Sequence, residues 1–270
     1  MGCVAFIGAG PGAADLITLR GARLLAQADV VLCDALVDPA LRELAPQARW
    51  IDVGKRGFNH ATAQERIDAL LVRCALRHRL VVRLKGGDPC VFGRLEEELL
   101  ALRGTGAVIE IVPGVTAALA AAADAGRPLT RRGRGRSVAL STAMTREGQL
   151  RASRCADTEV FYMAGRQLGA LARRLMATGW APQTEVSVVS RAGFPDRLSS
   201  SHALADLAQS CLLHSGRPTV VIVGAGARPV SPSAMAVSHA SHAALPLATH
   251  SIARSLLQPA DLVSHRGEPR

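Results

Sequence analysis

Short apolar runs that break off into glycine- and proline-bearing loops, each followed by residues at helical spacing, constrain this chain's fold more than any other feature. Residues 4–7 run into Gly8-Ala9-Gly10-Pro11-Gly12, and 30–32 end at Asp34; 80–84 empty into Lys85-Gly86-Gly87-Asp88-Pro89, and 108–112 lead into Pro113-Gly114-Val115-Thr116. A further apolar stretch precedes Val53-Gly54-Lys55-Arg56. Helices are predicted through Leu19, Leu24 and Leu25 to Ala28, over 64–78 with Ile67, Leu70, Leu71 and Cys74 on one face, over 95–103, and by alanine content over 117–125. Strands alternating with helices predict an α/β fold on a mainly parallel sheet, with ligand loops gathered at the carboxyl ends of the strands.

The pattern is interrupted over 127–136, a polar stretch rich in Gly and Arg, and then resumes. Strands are predicted over 138–141, 160–163, 186–189 and 219–223, with helices over 168–178 and 204–213. The expected organisation is an α/β domain over 1–132, a second over 133–228, and a disordered or loosely attached tail over 229–270.

At 270 residues and 49% hydrophobic, the chain can bury a core, yet no apolar run reaches the ~18 residues of a spanning helix. A soluble, cytoplasmic protein without membrane contact is expected. The six cysteines are widely spaced with no CxxC pair, so free thiols are expected rather than disulfides or a zinc site. His239, His242 and His250 in the tail are not predicted to hold a metal. A net charge of +10 invites a nucleic-acid partner, but aromatics make up only 3% of the chain and offer few platforms for stacking bases. A small polyanionic substrate accounts for the same charge, and no nucleic-acid partner is expected. Of 32 basic residues only Lys55 and Lys85 are lysine, both beside glycines, where a compact, titratable ammonium is available.

Gly8, Gly10 and Ala13 match a dinucleotide fingerprint between strand and helix, with Asp34 where a ribose-binding acid would stand. Pro11 argues against it, because proline brings no N–H to a turn that must point donors at a pyrophosphate. The fingerprint also leaves the other strand-end loops unexplained.

Together, GAGPG at 8–12, ADVVLCDALV at 28–37, VGKR at 53–56, RLKGGDPCVFGR at 83–94, VPGVTAA at 112–118 and PLTRR at 128–132 closely resemble the tetrapyrrole methylases, and within them the uroporphyrinogen-III C-methyltransferases. The resemblance runs from about 4 to 223 and thins after 132, where FYM at 161–163 and PTVVIVG at 218–224 carry it. It implies two α/β domains of the tetrapyrrole methylase type with a cofactor cleft between them, a homodimer, and S-adenosyl-L-methionine as methyl donor. The implied reaction methylates C2 and C7 of uroporphyrinogen III to precorrin-2, for sirohaem, cobalamin or haem d1. By the same resemblance, cofactor contacts would come from Pro11, Gly86, Gly87, Asp88, Val91, Thr116, Ala117, Met163 and the neighbourhood of Ala192. Asp34 would be the proton acceptor and Lys55 the donor, while Arg94, Glu97 and Arg132 would face the tetrapyrrole.

Those residue types suit the chemistry. Methyl transfer from a sulfonium to carbon is an in-line displacement that depends on positioning, and the methylated macrocycle must then lose a proton to a nearby base. Arginine forks pair with the carboxylates of such a substrate in a way lysine does not reproduce. Alternatives are a methyltransferase acting on a later precorrin, a diverged low-activity relative, or a basic nucleotide- or RNA-binding protein. The chain departs from the family pattern at Ala13, Cys90, Leu95, Arg127 and Thr142-Ala143-Met144.

Overall fold

In the first sheet the three inner strands are apolar at almost every position, because both of their faces are covered. The computed structural model of the chain describes residues 2–54, 60–143, 150–152 and 154–230. Strands β1 (Cys3–Gly8), β2 (Val30–Cys33), β3 (Arg49–Asp52), β4 (Leu80–Lys85) and β5 (Val108–Val112) form a sheet of order β3-β2-β4-β1-β5. Every pairing in it is parallel. Alternate residues serve opposite faces: Ala5, Ile7, Val31, Val82 and Leu84 pack on one, Val4, Phe6, Val30, Leu32 and Val81 on the other. Helices α1 (Leu19–Leu25), α2 (His60–Ala75) and α3 (Leu95–Ala101) supply the cover, with Leu25 buried on the first face and Leu71 on the second.

The second sheet departs from the expected parallel arrangement. It comprises β6 (Val138–Thr142), β7 (Thr158–Tyr162), β8 (Glu185–Ser190), β9 (Leu198–Ala203) and β10 (Thr219–Gly224), in the order β6-β7-β10-β8-β9. Only β6 and β7 are parallel; the other pairings are antiparallel. The strand β9 was hidden in the sequence because LSSSHA carries no apolar alternation, as suits an edge strand with one partner. The helix expected over 204–213 is a 3-10 segment, Leu204–Ser210.

Helix α5 (Leu168–Ala177) covers one face of this sheet through Leu168, Leu171 and Leu175, packed with Phe161, Val188 and Val221. The other face receives α4 (Ala117–Asp124), a helix whose Ala118, Ala120, Ala121 and Ala122 sit against Val189, Val220 and Ile222. Alanines let this helix lie close to the strands, so α4, which directly follows the first sheet, is packed onto the second. The described residues fall within one compact unit, Met1–Ser238. No helix among them is long and apolar enough to cross a membrane.

His214 closes the β8 end of the second sheet. It is fully buried, with Nδ1 2.6 Å from Ser190 Oγ and Nε2 2.8 Å from Ser200 Oγ, and His202 Nε2 lies 2.7 Å from the same Ser200 oxygen. Burial, aided by His202 and Arg217, holds its pKa below the usual 6.5. As pH falls through 6.5 the unfolded chain takes up this proton before the folded chain does, so the stability tied to neutral His214 is present above that pH and lost below it. Thermal unfolding followed from pH 7.5 to 5.5 should show falling Tm, with a shallower slope for His214→Gln. Parallel profiles for parent and variant would refute this assignment.

Candidate functional site

The parallel strands of the first sheet end on one edge, and the loops predicted after β1, β3, β4 and β5 leave from there, residues 55 and 56 of the β3 loop lying outside the described residues. Glycines bring their backbones into contact. A Cβ on Gly8 would lie 2.6 Å from Gly114 Cα and 2.7 Å from the Gly87 carbonyl oxygen, and one on Gly114 would lie 2.3 Å from that same oxygen. Gly10 and Gly87 exchange two backbone hydrogen bonds of 3.3 and 2.6 Å. Asp88 completes the clamp: Oδ2 accepts from Gly114 N at 2.8 Å and Oδ1 from Cys90 N at 2.7 Å.

This geometry removes the dinucleotide alternative. Ala9 N–H is given to Lys85 O, Gly10 N–H to Gly87 O and Ala13 N–H to Gly193 O, while Pro11 has none. A single 3-10 turn, Ala14–Leu16, follows where the fingerprint requires a helix N-terminus.

Gly87 is different from its neighbours. With φ +71° it needs a glycine, and a Cβ there would meet nothing closer than 3.9 Å, from Ala117 N and Thr116 Cα. The space between the Gly86-Gly87 turn and the Thr116-Ala117 turn is therefore a cradle that a side chain would fill. From the second sheet, Tyr162 OH reaches across to this wall, 2.7 Å from Thr116 Oγ1, and accepts Ala118 N–H at 3.3 Å. Met163 follows in the left-handed region (φ +58°) and is 57% exposed. The backbone there is held in a sparsely populated region while an apolar side chain stands in solvent, strain of the kind that clusters at ligand sites. Phe92 does the same at φ +52°, its ring 4.9 Å from that of Tyr162.

The turn after β8 closes the arrangement. Ala13 N donates to Gly193 O, Gly193 N donates to Asp124 Oδ2 at 2.7 Å, and Pro11 packs 3.0 Å from where a Gly193 Cβ would be. Ala192 is buried in this turn, and Val91 is partly buried against the core beneath α4. Pro11, Gly86, Gly87, Asp88, Val91, Thr116, Ala117, Met163 and Ala192 are thus gathered around the loop cluster.

Asp34 stands at the end of β2, its Oδ1 2.6 Å from Arg83 Nη2. Arg83 Nε lies 2.8 Å from Glu98 Oε1, and Glu98 Oε2 lies 2.6 Å from Lys85 Nζ. Two acids and two bases thus alternate in a row, and Arg83, Glu98 and Lys85 are buried. Burial opposes the charge on Arg83, yet Asp34 and Glu98 outweigh it and hold the guanidinium above its ordinary pKa. Burial, together with Arg83, lowers Lys85. Lys85, read in the sequence as a rare lysine at the head of a strand-end loop, is therefore a structural ion. Lys55 lies outside the described residues; Gly54 before it is so close to Ala35 that a Cβ would come within 2.3 Å of Ala35 N.

Arg94 and Glu97 pair at the exposed start of α3, through Nε–Oε1 at 2.7 Å and Nη2–Oε2 at 2.5 Å, beside a groove lined by Cys90, Phe92 and Leu100. Arg132 is not brought to the cluster. It sits in the turn of the Arg131–Gly135 bridge, near the Thr158 end of β7, whereas Met163 follows the opposite end. Among the departures, Leu95 packs into the core of the first sheet, Ala143 is fully buried, and Arg127 donates to Ala227 O and Ser201 Oγ. Met144 lies outside the described residues, as do His239, His242 and His250; among the described residues no His/Cys/Asp/Glu cluster suits a metal. Arg83, Glu98, Phe92, Tyr162 and Asp124 build the site without having been legible as site residues in the sequence. Tyr162, the chain's only tyrosine, was the one available signal.

A family model for the Tetrapyrrole (Corrin/Porphyrin) Methylases matches residues 3–208. A uroporphyrinogen-III C-methyltransferase of Pseudomonas aeruginosa is 40% identical over 232 residues, covering 83% of this chain and 93% of that protein. A siroheme synthase of a Psychrobacter strain is 41% identical over 77% of this chain but only 44% of its own length, so the chain spans about half or less of such relatives. The structure of a Thermus thermophilus uroporphyrin-III C-methyltransferase complexed with S-adenosyl homocysteine superposes with a TM-score of 0.71 at 37% identity, covering 83% of this chain and 97% of that one.

The buried row of charges gives a direct stability test. Glu98→Ala leaves Arg83 and Lys85 buried without their shared partner and should cost about 3–5 kcal/mol in urea unfolding. A loss below about 1 kcal/mol would mean that water replaces the carboxylate and the row is not a structural unit.

Proposed function

The chain belongs to the tetrapyrrole methylases, and from that premise we propose that it methylates uroporphyrinogen III at C2 and C7 with S-adenosyl-L-methionine, giving precorrin-2 for sirohaem, cobalamin or haem d1. The observation that carries the cofactor assignment is the cradle at Gly87, open between two turns, with Tyr162, the neighbour of the exposed Met163, bonded to its wall. Pro11, Gly86, Gly87, Asp88, Val91, Thr116, Ala117, Met163 and Ala192 are the proposed contacts. Both Asp88 oxygens already accept from backbone, and each keeps a second lone pair for a ligand donor. When bound, the cofactor supplies an electrophilic sulfonium methyl.

Asp34 takes the proton that the methylated macrocycle must lose, and the ion pair with Arg83 holds its carboxylate at the strand end in one orientation. Lys55, which follows the Gly54–Ala35 contact beside Asp34, is the proposed donor. Arg94 and Glu97 present a paired fork that a substrate carboxylate would enter by displacing Glu97 from the guanidinium. Arg132, which stands away from the loop cluster, is left out of the proposed substrate contacts. We read 1–132 and 133–228 as two domains, 229–270 as a tail, and the cellular compartment as the cytoplasm. A homodimer is supported by the edge strand β5, which leaves Val108, Ile109 and Ile111 exposed.

Titration of dialysed protein should show micromolar binding of S-adenosylhomocysteine and none of NAD; the reverse would overturn the methylase assignment. With uroporphyrinogen III and labelled donor, two methyl groups per ring are expected. Asp34→Asn should lower kcat by about 10²–10⁴ with cofactor binding preserved. Arg94→Ala should instead raise the substrate KM by about tenfold or more, the worth of a charge-assisted hydrogen bond.

A further inference from the structure

At the end of the second sheet opposite Met163 there is a cavity of about 660 Å³ that the proposed methyl transfer does not use. Its wall carries Arg131, Arg134, Arg154 and Arg228, with Asp157 as the one acid and Trp180 as the apolar element. Asp157 Oδ2 is already occupied, accepting from Arg136 N at 2.8 Å, Ser137 N at 3.1 Å and Ser137 Oγ at 2.9 Å. Four arginines thus line one cavity beside a single carboxylate that is already committed to Arg136 and Ser137. Like charges gathered in one concavity repel one another unless an anion joins them, and the concave shape strengthens their common field.

The arginines are also held in place. Arg154 donates to Gly179 O and lies over the Trp180 ring, 5.2 Å from its centroid. Arg131 donates to Pro229 O at 3.2 Å and to Arg228 O, while its Nε is the one buried side-chain donor or acceptor without a partner among the described residues. Guanidinium groups fixed in advance lose little freedom when they bind a ligand. The volume is that of a ligand site rather than of a single ion.

We propose that this cavity binds a small multivalent oxyanion, carrying two or more phosphate or carboxylate groups, at a site separate from the methyl-transfer cleft. The separation follows from β7: six residue steps lie between Asp157 at the cavity and Met163 at the cleft, about 20 Å at ~3.3 Å per residue. A ligand seated here is out of reach of the donor methyl. Phosphate and carboxylate ligands share the same recognition by guanidinium, so the source is left to experiment.

Calorimetric titration of the full chain at low salt with tripolyphosphate and, separately, with citrate should give saturable binding by at least one of them. The tighter arm identifies the ligand chemistry. Arg134→Gln and Arg154→Gln should each weaken that binding by about tenfold and leave S-adenosylhomocysteine affinity unchanged. Arg134 is exposed and makes the safer variant if loss of the Arg154–Trp180 contact disturbs folding. No saturable heat from either anion up to about 1 mM, or variants that bind like the parent, would overturn the proposal. So would an oligonucleotide that binds more tightly than both anions with the same arginine dependence, since it would make the cavity part of a nucleic-acid surface.

Discussion

The row Asp34–Arg83–Glu98–Lys85 is the interaction on which the site rests. It takes three ionised side chains almost wholly out of water, at a cost that only near-ideal geometry offsets, and the 2.6–2.8 Å contacts supply that geometry. Glu98 belongs to α3, Arg83 and Lys85 to β4, and Asp34 to the end of β2, so one run of charge fixes a helix and two strands relative to each other. Removing any interior member strands its neighbours. The row emerges from the core at Asp34, the position where a proton acceptor is proposed, and a side chain anchored in this way cannot wander among rotamers.

Around that anchor the loops are assembled by close backbone contact. Gly8, Gly87 and Gly114 come from three adjacent strands and meet at distances that no Cβ permits, while Asp88 bolts two of the loops together. The second sheet is then drawn in by two links, Tyr162 to Thr116 and Gly193 to Ala13, and by α4, whose alanines settle on strands β8 and β10. Phe92, Arg94, Met163 and Arg191 hold the left-handed conformation without being glycine, and two of them, Phe92 and Met163, are the exposed apolar residues beside Tyr162. Rigid surroundings make such strain tolerable, and it is where a ligand would gain from it.

Much of this was legible in the sequence. The five strands of the first sheet, α1 to α5 and the four strand-end loops follow from local apolar runs and glycine placement, and Pro11 alone was enough to weaken the dinucleotide alternative. The second sheet was less legible. Its apolar strands were found, but periodicity does not say which way a strand runs, so an expected parallel sheet is mostly antiparallel. The polar edge strand β9 gave no apolar signal. Lys85 and Arg127 show the same limit from the side of charge, since a cation in a string of letters looks alike whether it is solvated, buried in an ion row or tied to carbonyl oxygens a hundred residues away.

The sequence by itself determined the α/β alternation, the loops that carry the candidate cofactor contacts, and the family these belong to, because strand and turn preferences act over a few neighbouring residues. Only the tertiary structure decided that Asp88 is a clamp, that Arg83 and Glu98 stand behind Asp34, that Tyr162 joins the two sheets, that Arg132 lies away from the loop cluster, and that four arginines share one cavity. Each of those depends on groups far apart in the chain coming within hydrogen-bond or Coulomb range, where the strength of the interaction is set by burial and distance that no local pattern records.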